Sequence, residues 1–151
     1  MPVIDSEVRI DAPPRVAFDL ACEHERYVEY GIKDLISART VEPDDGTGTL
    51  VTEWVWSLKG ARIRYLERER HDAENLALRF EQTQGDLKRF EGQWRFLPDG
   101  AGTRFVSHVE FELGIPMLRG LLDPVARLVL RDVIEGLAAA IKARAESESE
   151  G

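Results

Sequence analysis

The chain has a single cysteine, Cys22, in 151 residues, so no disulfide can form within it. It has only three histidines, His24, His71 and His108, and no two of them stand at metal-motif spacing. No metal and no cofactor are therefore expected. No apolar run approaches the ~20 residues that a membrane span requires, so stable insertion is not expected. There is no basic cluster either: the net charge is −8 and the 20 lysines and arginines are dispersed. That disfavours a nucleic-acid partner and an anionic membrane surface. The segment Met1–Glu7 lacks the charged and apolar regions of a secretory leader, and the reading is of a soluble cytoplasmic protein. No nucleophile elbow is present, and the glycines near 46–48 and 100–102 read as hairpin turns rather than phosphate cradles.

What is present is alternation. Val8, Ile10 and Ala12 alternate with Arg9 and Asp11, which predicts a first strand, and Pro13-Pro14 ends it and opens a short helix. A second short helix is predicted over 23–30, with His24 at its start, and a strand over 32–42. Strands then follow over 50–58, 61–70, 76–83, 87–97 and 103–113, with His71 in a turn. Gly114-Ile115-Pro116 breaks the last of them. Leu118, Leu121, Leu122, Val125, Leu128, Val129, Val133, Leu137, Ala140 and Ile141 recur at helical spacing to about Ala145. Asp132 and Gly136 interrupt that apolar stripe, the glycine marking a close approach of helix to sheet. The chain reads as one domain over 1–145, with an acidic, disordered tail over 146–151.

Side chains alternate faces along a strand, so paired residues share a face. A two-residue turn at Lys59-Gly60 pairs Leu58 with Ala61, Trp56 with Ile63 and Trp54 with Tyr65. Pairing Pro98 with Thr103 sets Phe96 opposite Phe105, Trp94 opposite Ser107 and Phe90 opposite Phe111, and a turn near Gly85 sets Phe80 opposite Phe90. The large apolar residues then fall on one face, while Glu53 lies among Arg64 and Arg68 on the other. The same parity points Glu67 and Glu69 inward, near Leu78 and Leu76, where desolvation raises a carboxyl pKa. A bulge after Tyr65 would instead return both to solvent. The pattern is α+β, with the C-terminal helix as the only element long enough to cover the apolar face.

The stretch Gly85-Asp86-Leu87-Lys88-Arg89-Phe90-Glu91-Gly92-Gln93-Trp94-Arg95-Phe96 resembles the Gly-…-Leu-x-Gly-x-Trp-x-Phe strand of the START-like, or SRPBCC, helix-grip superfamily, in its polyketide cyclase/dehydrase and coenzyme-Q-binding-like branch. Ile10–Phe18 is similar to that family's opening strand-to-helix segment, and Glu25–Tyr30 to its Glu-Arg-Tyr-Pro-Glu-Phe segment, with Val28 where proline is usual. The resemblance implies a seven-stranded antiparallel sheet wrapped around a long C-terminal helix, two short helices after strand 1, and an internal cavity. It also implies a small hydrophobic partner, such as a quinone, a lipid or a polyketide-like molecule.

One fold carries many functions, so three readings stand. In the first, the cavity binds a hydrophobic ligand through Trp54, Trp56, Tyr65, Glu67, Phe90, Trp94, Ser107, Val109 and Phe111. In the second, the protein is a metal-free cyclase, aromatase or dehydratase, with Glu67 and Tyr65 as the candidate acid/base groups. In the third it is a ribosome-associated or regulatory interaction protein. Neither the ligand nor the oligomeric state is legible in the sequence.

Overall fold

Proline decides the first corner. Pro13, extended at φ −61° and ψ 149°, caps a helix that begins at Pro14, where a missing N–H costs no helical hydrogen bond. The computed structural model describes residues 3–58, 60–112 and 123–150. Its elements are β1 (Val3–Ile10), α1 (Pro14–Ala21), a 3₁₀ helix (His24–Tyr30), β2 (Leu35–Glu42), β3 (Thr49–Leu58), β4 (Ala61–Asp72), β5 (Ala77–Gly85), β6 (Arg89–Asp99), β7 (Gly102–Glu112) and α2 (Asp123–Glu150). The strands form one antiparallel seven-stranded sheet in the order β1-β7-β6-β5-β4-β3-β2. This is the helix-grip architecture: a curved sheet whose apolar face closes on α2.

The hairpin registers follow the parity argument at β3–β4, where Trp54 faces Tyr65 and Trp56 faces Ile63. They follow it again at β6–β7, where Trp94 faces Ser107 and Phe90 faces Phe111. The β5–β6 pairing differs. Phe80 lies opposite Gly92 rather than Phe90, because its ring occupies the space a side chain would fill: a Cβ on Gly92 would stand 2.6 Å from Phe80 Cζ. Phe90 still reaches Phe80 diagonally, with ring centroids 5.6 Å apart. Glu67 and Glu69 consequently face Gln82 and Phe80 across β4–β5, not Leu78 and Leu76.

The sheet contains a bulge near Tyr65, on the strand opposite the expected one. Leu66 pairs with Gln84 and Glu67 with Gln82, so the extra residue is Thr83 of β5. The β3–β4 register runs unbroken past Thr52–Glu67 and Leu50–Glu69, and both glutamates stay inward. Gly85 makes the crossing possible: at φ +151° it adopts backbone that side chains disfavour, and a Cβ there would lie 2.4 Å from Tyr65 Cβ.

Other boundaries shift for local reasons. β1 begins at Val3 because β7 offers it partners from Glu110 onward. The segment 24–30 is 3₁₀ rather than α-helical and ends at left-handed Gly31. β2 starts at Leu35 because Asp34 has φ 68°. His71 lies within β4, not in the turn after it. On α2, Leu130, Ile134, Leu137, Ile141 and Ala145 form the buried stripe, while Leu128 is 61% exposed. Gly136 has open space around it, so close packing does not account for it.

The helix also runs past Ala145 to Glu150 rather than fraying at the acidic tail. Glu146 accepts from Asp11 N at 2.8 Å and from Lys142 Nζ at 2.5 Å, which ties that turn to the end of β1. Lys59, Gly114-Ile115-Pro116 and the helical positions Leu118, Leu121 and Leu122 lie outside the described residues. Among the described residues, no helix is long and apolar enough to cross a membrane.

Candidate functional site

The concave face and α2 do not meet everywhere. Between them lies a void of about 40 Å³, and the space bounded by the same walls, including what opens to solvent, is about 490 Å³. Trp54, Trp56 and Tyr65 form one wall, Phe90, Trp94 and Val109 another, and Leu130, Ile134 and Leu137 of α2 the roof. Glu67 also lines it. Ser107 and Phe111 are buried but stand outside this lining, so seven of the nine ligand-contact residues expected from the sequence come together around the void. A groove of about 260 Å³ between the 32–34 segment and α2, edged by Lys33, Asp132 and Gly136, shares Val133 with the cavity wall. Asp132 is thus an exposed rim residue.

The polar end of the cavity is built by alternation on β4 and by the 3₁₀ helix. Glu69, fully buried, accepts from Thr52 Oγ1 at 2.5 Å on Oε2. Thr52 in turn accepts from Trp54 Nε1 at 2.8 Å. On its other oxygen, Oε1, Glu69 meets His24 Nε2 at 2.9 Å and His71 Nε2 at 3.1 Å. Burial alone would raise the Glu69 pKa, but His24, His71 and Thr52 outweigh it and hold the carboxylate well below its usual range. The neighbouring Glu67 shifts the other way. Burial, and then the negative charge of Glu69, push it well above the usual carboxylate range, which favours its protonated form at the cavity wall.

The tryptophans divide. Trp54 is satisfied by Thr52, and Trp56 Nε1 donates to Tyr65 OH at 3.1 Å. Trp94 Nε1, Ser107 Oγ and His24 Nδ1 are buried without a hydrogen-bond partner. An orphaned buried group costs about 1–3 kcal/mol, and a ligand or water that meets it recovers part of that. Trp94 and His24 both line the cavity. Burial drives the Tyr65 phenol far above its ordinary pKa, which keeps it a hydrogen-bond donor rather than a phenolate. Burial, and then Glu69, push the Cys22 thiol up to about 12, so it is no nucleophile.

His24 is the residue that sequence reasoning missed. It reads as the polar start of a short helix, yet it is 4% exposed and packs edge-on against Trp54 with ring centroids 5.4 Å apart. His71 had a local signal, since Glu69 and His71 are two apart on one strand and share a face. No local pattern links His24 to that pair.

A family model described as polyketide cyclase/dehydrase and lipid transport matches residues 10–138. None of the curated proteins matches the sequence. Among solved structures, the Thermus thermophilus protein TTHA0849 is 34% identical and superposes with a TM-score of 0.89, covering 98% of this chain and 99% of that one. The Zhui aromatase/cyclase of a Streptomyces species is 18% identical with a TM-score of 0.76, covering 99% and 93%. A START superfamily protein from Mycobacterium smegmatis is 17% identical with a TM-score of 0.80, covering 97% and 98%. At those identities the last two share the fold and nothing narrower. The family match spans most of the chain, including the Gly92-x-Trp94-x-Phe96 strand that walls the cavity, and the protein belongs to the polyketide cyclase/dehydrase and lipid-transport family of START-like helix-grip proteins.

Proposed function

We propose that this domain, residues 1–145, binds a small, mostly apolar molecule carrying one or two hydrogen-bond acceptors, of the quinone, lipid or polyketide-like kind, between the sheet and α2. The observation that carries this reading is the void between sheet and helix, walled by aromatics and holding the unpartnered Trp94 Nε1. Ligand pockets generally span ~300–1,000 Å³, so the closed void must widen by movement of its walls as the ligand enters. Covering about 300 Å² of apolar ligand surface is worth roughly 7 kcal/mol. Association costs of at least ~4 kcal/mol leave a modest surplus. Selectivity then falls to the few polar atoms: Trp94 Nε1 and the Tyr65 hydroxyl as donors, and Glu67.

The test is mass spectrometry of small molecules extracted from the purified chain, followed by titration of the recovered compound against tryptophan fluorescence. Quenching that Trp94→Phe weakens about 5-fold, the value of one hydrogen bond, supports the reading. An empty extract, together with no response to a quinone, a fatty acid or an aromatic polyketide, sinks it.

The buried carboxyl of Glu67 favours a second reading, a cyclase, aromatase or dehydratase that protonates a carbonyl or hydroxyl of the bound chain. Under that reading Glu67→Gln abolishes turnover while the ligand still binds. Under pure binding, Glu67→Gln changes affinity only slightly.

A further inference from the structure

His24, Glu69 and His71 are drawn from two elements, yet their ligand atoms lie within 4.8 Å of one another. Glu69 and His71 project from the same face of β4, and His24 comes over from the 3₁₀ helix. Both imidazoles aim Nε2 at a single oxygen, Glu69 Oε1, at 2.9 and 3.1 Å. Separations of about 3 Å are those of hydrogen bonds, but they are also the spacing between adjacent ligands bound at ~2.1 Å to one ion. Charge and support distinguish the two.

The Glu69 carboxylate faces this end of the cavity with the carboxyl of Glu67 beside it, and none of the described residues lining it is lysine or arginine. Where the same sheet holds a carboxylate outside, at Glu53, it uses two arginines. Inside, it uses the two side chains that act either as donors or as metal ligands. Glu69 is also held as a ligating carboxylate is held. Thr52 takes Oε2, Trp54 orients Thr52, and Oε1 is left toward the imidazoles.

We infer that His24 Nε2, His71 Nε2 and Glu69 Oε1 form a binding site for one divalent transition-metal ion at the polar end of the cavity. Two nitrogens and one carboxylate oxygen suit Zn²⁺, Fe²⁺ or Co²⁺ and not Mg²⁺ or Ca²⁺, which take oxygen ligands. Three protein ligands leave coordination positions open, and His24 and Glu69 both border the cavity, so the ion faces whatever the cavity holds. His71, whose side chain is 16% exposed, gives the ion its route from solvent.

The experiment uses the full chain, stripped with chelator and titrated with Zn²⁺ by calorimetry and with Co²⁺ by visible absorption, with Mg²⁺ as the control. The expected result is one equivalent of Zn²⁺ bound at micromolar affinity or tighter, a cobalt ligand-field band, and no heat from Mg²⁺. His71→Ala, at the partly exposed edge, should weaken Zn²⁺ at least 100-fold. Thr52→Val, which frees the carboxylate, should weaken it roughly 10–100-fold. His108→Ala is the decisive control, because His108 stands outside the cluster beside Asp5 and Glu110 on the sheet's other face. It should change nothing. If the folded wild-type chain binds Zn²⁺ no tighter than millimolar, or if binding is lost in His108→Ala but survives His71→Ala, the site does not exist and the cluster is a hydrogen-bond network only. Circular dichroism of each variant separates loss of binding from loss of fold. The titration uses the metal alone, so its outcome is independent of whether the cavity takes an apolar ligand.

Discussion

The two faces of the β3–β4 hairpin each hold a buried carboxylate, and they hold it differently. On the outer face Glu53 is clamped by Arg39 Nε at 2.8 Å and Arg64 Nε at 2.8 Å, side chains that never give up their charge. On the inner face Glu69 rests on Thr52, His24 and His71, and nothing around it is permanently cationic among the described contacts. Water screens the outer pairs, whose arginines are 62% exposed, and it touches the inner cluster only at the edge of His71, 16% exposed, while the Glu69 side chain is 0% exposed. The outer arrangement fastens β2, β3 and β4 together. The inner one sets a carboxylate and two imidazoles at the end of an apolar cavity.

Glu69→Gln tests the difference most severely. Removing one partner of a buried, hydrogen-bonded pair costs roughly 3–5 kcal/mol, and urea unfolding of the metal-free protein should read a loss of that size. A loss below 1 kcal/mol would put the two faces on an equal footing and break the comparison.

Glu53→Gln should cost only about 0.5–1 kcal/mol, and less in 1 M salt, where the screening length falls to ~3 Å. Arg39 and Arg64 lower the Glu53 pKa, so its contribution is present above the ordinary carboxylate pKa of ~4.3 and is lost as pH falls through the lower native value. An acid titration of stability from pH 6 to 3 should therefore be shallower in Glu53→Gln. A slope unchanged from wild type would show that the outer clamp contributes nothing.

The smallest loss is expected at Glu67. The fold favours its protonated form, so at about pH 4, where the unfolded chain also protonates it, Glu67→Gln replaces one group by another of the same shape and metal-free stability should hardly move. At neutral pH, where the unfolded chain ionises the carboxyl, the variant should gain stability, the opposite sign to Glu69 two residues away. A loss as large as that for Glu69→Gln would mean that the two carboxyls act as one unit.

Parity and one short turn, both local, offer the inward direction of Glu67 and Glu69, but a bulge on β4 would have turned both to solvent, and only the unbroken β3–β4 register decides between the two. The β6–β7 register was legible because it depends on parity and one short turn alone. Phe80 was misplaced by two residues because its partner is decided by an absence, the missing side chain of Gly92, which receives the ring only once three strands are together. The bulge was foreseen near Tyr65 and fell on β5, since Gly85 rather than β4 absorbs the crossing. Three orphaned polar atoms, at His24, Trp94 and Ser107, could be found only by counting hydrogen bonds in three dimensions.

By itself, then, the sequence determined the elements, the apolar face and the family, because alternation, turn residues and the Gly92-x-Trp94-x-Phe96 strand are read along the chain. Tertiary structure alone decided that His24 meets Glu69 and His71. That meeting depends on how the 3₁₀ helix folds back over β4, a packing of distant segments that no local spacing encodes.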